Sequence, residues 1–183
     1  LCFLRGCCFR VADSMHKQLF LVPFLIYGTM TYQQSKIWKN SGTLWTHVLQ
    51  YYKKSTLPYG NRANYYRDNG RAAEALSDYK NTIRLDRTKP EPYNSRGRLY
   101  FNFNQKDSTL LALKDYTKAI ELDGNTAEYW VNRGAVYAKM GNLQNALSDL
   151  NRASELDPNF LNIYLNRSIV YYNLGNTQKA LDD

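Results

Sequence analysis

Four arginines and four aspartates recur in this chain at matched spacings, and the chemistry that they offer is ion pairing. Each arginine is followed by an aspartate 16 residues later, or 19 residues later in one case. A planar guanidinium and a carboxylate can share two parallel hydrogen bonds, which makes the contact strong and directional. We predict structural ion pairs, and the alternative is that the arginines line a ligand groove. The predicted pairs are Arg62–Asp78, Arg96–Asp115, Arg133–Asp149 and Arg167–Asp183.

Residues for metal binding or covalent catalysis are sparse. His16 and His47 have no cysteine, histidine or carboxylate at a spacing suited to a shared zinc ion. The cysteines are confined to Cys2, Cys7 and Cys8, and no glycine-rich phosphate loop occurs. We therefore predict that the chain is not an enzyme, with no catalytic residues, no metal and no cofactor.

The elements that position the ion pairs are helices. In the segment 127–160, an apolar stripe with helical spacing runs from Trp130 to Tyr137. Gly141 interrupts this stripe, and a second helical stripe follows it. Pro158 then ends the second helix, because a proline biases the preceding residue away from the helical region. The segment is thus predicted to form two antiparallel helices.

The same pattern recurs from residue 56 onward with a period near 34. An aromatic residue, a small residue, a tyrosine, a glycine, an alanine and a proline at fixed offsets resemble the tetratricopeptide repeat. The resemblance implies an all-α fold, a right-handed solenoid of antiparallel helix pairs that binds other proteins or peptides. The predicted repeats are 56–89, 90–126, 127–160 and a truncated one at 161–183.

The unit 90–126 carries three additional residues, close to one helical turn. We predict a longer turn between its helices or a longer first helix around 101–108, with Asp107 or Ser108 as the N-cap of the second helix. Both halves of the unit keep their phase, so Ala112 should remain buried and neighbouring units should still stack.

Residues 1–33 form an apolar N-terminal segment, with no charge from Leu19 to Tyr32. As a helix this run would span about 21 Å, against about 30 Å for a hydrocarbon core. We predict a helix that associates with a membrane through residues 15–33, followed by a degenerate first repeat helix at 34–55. The alternative is a packing helix in a cytoplasmic scaffold.

Residues 19–55 also resemble the junction between the membrane domain and the repeat tail of O-mannosyltransferase-like membrane proteins. The segments 38–41, Trp-Lys-Asn-Ser, and 44–45, Leu-Trp, carry this resemblance. It implies an alternative in which the repeats are the C-terminal tail of a multi-spanning membrane glycosyltransferase. Because the chain starts at Leu1 and stops at Asp183 within a unit, we expect the protein to continue beyond both ends.

The positive charge is concentrated in the N-terminal part. Residues 1–55 contain seven lysines or arginines and one acidic residue, whereas residues 56–183 contain 17 and 15. A solenoid that binds nucleic acid would show a basic face across its repeats, so we predict no nucleic-acid partner. The basic N-terminal part suits the surface of an anionic membrane.

The repeat resemblance also implies a binding surface, because in stacked units of this family the first helices line a concave face. Here the positions that point into this face carry mainly amides, with isolated charges and two aromatic residues. The predicted peptide-binding residues are Asn64, Arg67, Asn94, Arg98, Asn102, Lys139, Asn162, Tyr172 and Asn173. Further residues at these positions are Asp68, Glu91, Phe101 and Glu128.

We expect the ligand to be an extended, polar peptide whose backbone is held by amide hydrogen bonds. Arg98 and Lys139 would favour an acidic group on it. The alternative is a merely solvated surface. Family members that grip chaperone C-terminal carboxylates use a mostly cationic clamp, but the matching positions here are mainly amides, which argues against such ligands. These positions are Asn94, Arg98, Asn132, Asn162 and Asn166.

Overall fold

The computed structural model describes residues 25–103 and 105–183, and all regular secondary structure in these ranges is α-helical. The chain divides into two compact regions, Leu1–Tyr51 and Tyr52–Asp183. The greater part of the predicted apolar segment, 1–24, lies outside the described residues.

In the first region, residues 25–37 are the described part of helix α1, and α2 is Ser41–Tyr51. The Thr43 N–H donates to Asn40 Oδ1 at 2.9 Å, so the Asn40 side chain caps the start of α2. The predicted degenerate repeat helix at 34–55 therefore overlaps the end of α1 and all of α2.

The membrane segment predicted at 15–33 is described only from residue 25. There Leu25, Ile26 and Met30 are all more than half exposed. Within the part of the chain that the structure describes, no helix is both long enough and apolar enough to cross a membrane.

The second region consists of repeat units, each with a first helix and a second helix. Each first helix packs on its own second helix, and each second helix packs on the first helix that follows. First helices also contact one another, α5 with α7 and α7 with α9. The result is a stack of helix pairs. The helices are α3 (Thr56–Asp68), α4 (Ala72–Leu85), α5 (Pro90–Asn102), α6 (Lys106–Leu122), α7 (Ala127–Lys139), α8 (Leu143–Leu156), α9 (Leu161–Asn173) and α10 (Thr177–Asp182).

Three of the turns between paired helices are built on a glycine with positive φ. Gly70, Gly141 and Gly175 have φ of 71°, 77° and 76°. In the first turn the Arg71 N–H donates to the Tyr66 carbonyl at 2.8 Å. This pattern is a Schellman motif, which ends a helix with a left-handed residue, and glycine adopts that conformation without steric cost. The first helix is thereby stopped at the same repeat position each time.

The three additional residues of the unit 90–126 extend its second helix at its start. Helix α6 has 17 residues, whereas α4 and α8 have 14, and α5 has the usual 13. The predicted longer turn or longer first helix is therefore wrong. So is the predicted cap at Asp107 or Ser108, because the N-cap is Gln105. An acidic side chain such as Asp107 is favourable inside the first helical turn, next to the positive end of the helix dipole.

The added turn leaves the packing phase intact. Ala112 is the seventh residue of α6, whereas Ala75 is the fourth residue of α4, and both have no exposed surface. Three residues are nearly one helical turn, so the apolar face of α6 still points at α5. The burial of Ala112 is as predicted.

Candidate functional site

All four arginine–aspartate pairs form within one unit, between the first helix and either the second helix or, for Asp183, the residue that follows it. Nε of Arg62 and of Arg96 lies 2.7 Å from an oxygen of its aspartate, and Nε of Arg133 lies 2.8 Å from one. Each arginine also donates from Nη2 to the second carboxylate oxygen. The aspartate side chains are 4% to 9% exposed. The contacts are therefore bidentate, and the carboxylates are almost fully shielded from solvent.

Aromatic rings shield the guanidinium groups. The Arg133 guanidinium carbon lies 5.0 Å from the centre of the Trp130 ring and 5.7 Å from that of Tyr137. Hydrogen bonding to Asp149 raises the pKa of Arg133, against the lowering effect of burial. These contacts favour the structural role of the arginines over the ligand-groove alternative, because the Arg133 guanidinium already bonds to Asp149 of the same unit.

The predicted peptide-binding residues lie on the first helices, and we call the surface formed by these nine residues the first-helix face. At its centre Asn94 is 6% exposed and links two units. Its amide donates to Glu128 Oε1 at 3.1 Å, and its oxygen accepts from the Asn132 amide at 2.8 Å. Arg98 Nη1 lies 3.7 Å from Glu128 Oε1 and remains half exposed. This cluster joins α5 to α7.

Near α3 the polar groups bond among themselves. The Tyr79 hydroxyl donates to Asn64 Oδ1 at 2.7 Å, and Arg67 Nη1 donates to the same amide oxygen at 3.2 Å. Burial raises the pKa of Tyr79. Arg67 also forms an ion pair with Asp68 at 2.9 Å. Asn64 and Arg67 therefore contact a buried tyrosine of α4, which sequence reasoning did not anticipate.

At the C-terminal ends of α5 and α7, Lys139 bridges the two helices. Its Nζ lies 3.4 Å from the Phe101 carbonyl oxygen and 4.5 Å from the centre of the Phe101 ring. Asn102, the residue after Phe101, is exposed. Lys139 thus lies at the edge of the first-helix face, in contact with Phe101 of α5.

On α9 the first-helix face changes character. Asn162 and Asn173 are exposed, but Leu165 and Ile169 are also 55% and 56% exposed, and Tyr172 is 70% exposed. Leu165 and Ile169 are the repeat equivalents of Asn94 and Arg98, and the sequence-based set does not contain them. Their spacing of four residues already indicates a shared helix face.

Comparison with known proteins supports the repeat assignment. Residues 127–160 match the family described as tetratricopeptide repeat. A comparison with curated protein sequences finds no match. The crystal structure of MamA is similar with a TM-score of 0.68 and 22% identity, over 75% of this chain and 79% of that chain.

Two further solved structures come from RPAP3. The first TPR of Spaghetti (RPAP3), bound to the HSP90 peptide SRMEEVD, is similar with a TM-score of 0.62 and 23% identity, over 66% of this chain and 93% of that one. The second TPR domain of human RPAP3, in complex with the HSP70 peptide SGPTIEEVD, has a TM-score of 0.57 and 24% identity, over 61% and 91%. These similarities confirm the predicted all-α repeat solenoid.

Proposed function

We propose that this chain is a scaffold module that binds an extended segment of another protein along its first-helix face. The observation that carries the proposal is the pair of Arg98 and Glu128, whose side chains remain 51% and 43% exposed at the junction between two first helices. The nearly buried Asn94 donates to Glu128 and so orients this pair. Such groups can bond to the backbone of a peptide that crosses from one unit to the next. The peptide complexes of the two RPAP3 domains support a peptide ligand for this fold.

The ligand that we propose differs from the peptides in those complexes. Both peptides end in Glu-Glu-Val-Asp and are strongly anionic. In this chain Asn94 and Asn132 bond to each other, and Glu128 adds a negative charge next to Arg98. A second carboxylate close to Glu128 would be repelled. We therefore expect a polar peptide with few acidic residues at this junction.

The experiment is a selection from a random peptide library on the full chain, followed by affinity measurement on variants. The double variant Arg98→Ala/Asn102→Ala removes an exposed cation and an exposed amide of the first-helix face. We expect its affinity to fall about tenfold or more, because charge-assisted hydrogen bonds are lost. Arg152→Ala is the matched control, since Arg152 is exposed on α8 and paired only with Glu155 in the described ranges. Ligands that bind the natural chain and the double variant equally would place the site elsewhere.

We also propose that residues 15–33 attach the module to a membrane surface. The uncharged run from Leu19 to Tyr32 supports this proposal, as do the exposed Leu25, Ile26 and Met30. Co-sedimentation of the full chain with vesicles of phosphatidylcholine and phosphatidylserine tests it. We expect binding that is lost when residues 1–34 are deleted. If the deletion leaves the distribution unchanged, with both forms remaining in solution, this run is only a packing helix.

The alternative parent protein is a membrane glycosyltransferase with the repeats as its tail. It rests on the resemblance of residues 19–55 to the junction of such proteins. The coding sequence upstream of Leu1 distinguishes the two: a series of further apolar spans favours the enzyme, and a start codon next to Leu1 favours the small tethered module.

A further inference from the structure

A cavity of about 320 Å³ lies between the start of α6 and the end of α7. It adjoins the first-helix face, because Lys139 lines the cavity and belongs to that face. The residues that line it are Gln105, Lys106, Thr109, Leu110, Lys139 and Met140.

The cavity depends on the additional turn of the unit 90–126. Ala112 keeps the buried position of Ala75 although α6 starts three residues earlier, so the added residues are 106–108. Three residues lengthen a helix by about 4.5 Å. Lys106 is therefore part of a wall that has no counterpart in the units 56–89 and 127–160.

The cavity is positively charged. Lys106 and Lys139 are both exposed, and neither forms an ion pair with a carboxylate of the described residues. Elsewhere on the second helices, Lys118 is paired with Glu121 at 2.9 Å, which neutralises it locally. Two ammonium groups that have no carboxylate partner among the described residues attract an anion to this cavity, because their fields add in a partly enclosed space.

The other polar side chains of the lining, Gln105 and Thr109, are neutral. The Thr109 hydroxyl already donates to the Gln105 carbonyl at 3.0 Å. Leu110 and Met140 are 47% and 46% exposed, so part of each apolar side chain is accessible to a ligand. They provide an apolar contact next to the two cations. A ligand that satisfies both features carries a carboxylate beside an apolar side chain.

We propose that this cavity is a specificity site for an acidic side chain of the bound peptide, followed by an apolar residue that packs on Leu110 and Met140. This inference rests on the proposed function and deepens it. The carboxylate lies between Lys106 and Lys139, away from the Glu128 carboxylate at the centre of the first-helix face. The ligand is thus polar and weakly charged over α5 and α7, and acidic where it leaves their C-terminal ends.

The test uses acetyl-Glu-Leu-amide as the probe, with acetyl-Gln-Leu-amide as its uncharged counterpart, on the isotope-labelled full chain in NMR titrations. We expect Glu-Leu to bind with about millimolar affinity and to shift the signals of Lys106, Leu110, Lys139 and Met140. Lys106→Gln and Lys139→Gln should each weaken binding about fivefold to tenfold, since each removes one charge-assisted contact. Lys114→Gln is the control, because Lys114 is an exposed lysine of the same helix that does not line this cavity.

Equal binding of the two probes, no binding of either, or full affinity in the Lys106→Gln variant would overturn the inference. The proposed function fails separately. If library peptides lose affinity with Arg98→Ala/Asn102→Ala but not with Lys106→Gln, the scaffold function stands and the specificity site does not. If no library peptide binds while Glu-Leu still does, the cavity stands as an anion site and its role in peptide binding is refuted.

Discussion

Arg133 and Asp149 face each other across α7 and α8 with two parallel hydrogen bonds of 2.8 and 2.9 Å. The Asp149 side chain is 5% exposed, and that of Arg133 is 16% exposed. The same contact recurs in the other three units at the same repeat positions. It ties together the two halves of a unit through their side chains.

Replacing Arg133 by alanine should destabilise the helix stack of residues 52–183. The change leaves the nearly buried Asp149 carboxylate without its partner, and removing one member of a buried pair costs about 3–5 kcal/mol. We expect the lower end of this range, since Arg133 retains some exposure. The free energy of unfolding from urea titration measures it, with Arg152→Ala as the exposed control, expected to change by less than about 1 kcal/mol. Unchanged stability with lost peptide binding would instead support the ligand-groove alternative.

Gly97→Ala should destabilise the chain, whereas Gly60→Ala should not. A Cβ at Gly97 would lie 2.9 Å from Tyr116 Cε1, and the Tyr116 ring is 1% exposed and has no room to move. Overpacking of this kind costs about 1–3 kcal/mol. A Cβ at Gly60 meets no atom within 4 Å, so the better helix propensity of alanine should stabilise by about 0.5–1 kcal/mol. Thermal unfolding of the two variants compares them, and equal melting temperatures would contradict this packing argument.

Stability should fall in alkaline solution, and Tyr116 should account for part of the loss. Burial raises the pKa of Tyr116 in the folded chain far above its ordinary value near 10. Its stabilising contribution is complete below the unfolded pKa and is lost as pH rises toward the folded pKa, because only the unfolded chain ionises there. The slope is about 1.4 kcal/mol per pH unit for one such group.

The measurement for Tyr116 is the free energy of unfolding at pH 8 and pH 11, in the natural chain and in Tyr116→Phe. The variant should lose less stability between these pH values. Tyr172→Phe, which alters a tyrosine that is 70% exposed, is the control and should leave the pH dependence unchanged. A pH dependence in Tyr116→Phe equal to that of the natural chain would refute the assignment.

Asn94 and Asn132 should be energetically coupled although they belong to different units. Their side-chain amides are 2.8 Å apart across α5 and α7, and Asn94 is 6% exposed. A double-mutant cycle with alanine at both positions should give a coupling free energy of about 0.5–1.5 kcal/mol, the usual net value of a hydrogen bond. Asn94 with Asn162 serves as the control pair, because no hydrogen bond links them in the described ranges, and should be additive. Additivity of Asn94 with Asn132 would show that this bond does not join the units.

The repeating part of this fold could be predicted from the amino-acid sequence. The period, the glycine turns and the arginine–aspartate pairs follow from helical spacing and from the geometry of side chains within one unit. Even the burial of Ala112 could be predicted across the added turn, because a shift of three residues nearly restores the helix phase. These features depend on local periodicity, which is visible in a single chain.

How one unit packs on the next could not be predicted in this way, because it depends on contacts between residues far apart in the chain. The start of α6 at Lys106 depends on the turn that leads into it, and many side chains are compatible with either a turn or a first helical turn. The pairing of Asn94 with Asn132, and the exposure of Leu165 and Ile169, depend on whether a neighbouring helix covers that face. The residue types alone cannot reveal this, because a polar residue can be buried by a partner and an apolar one left without it.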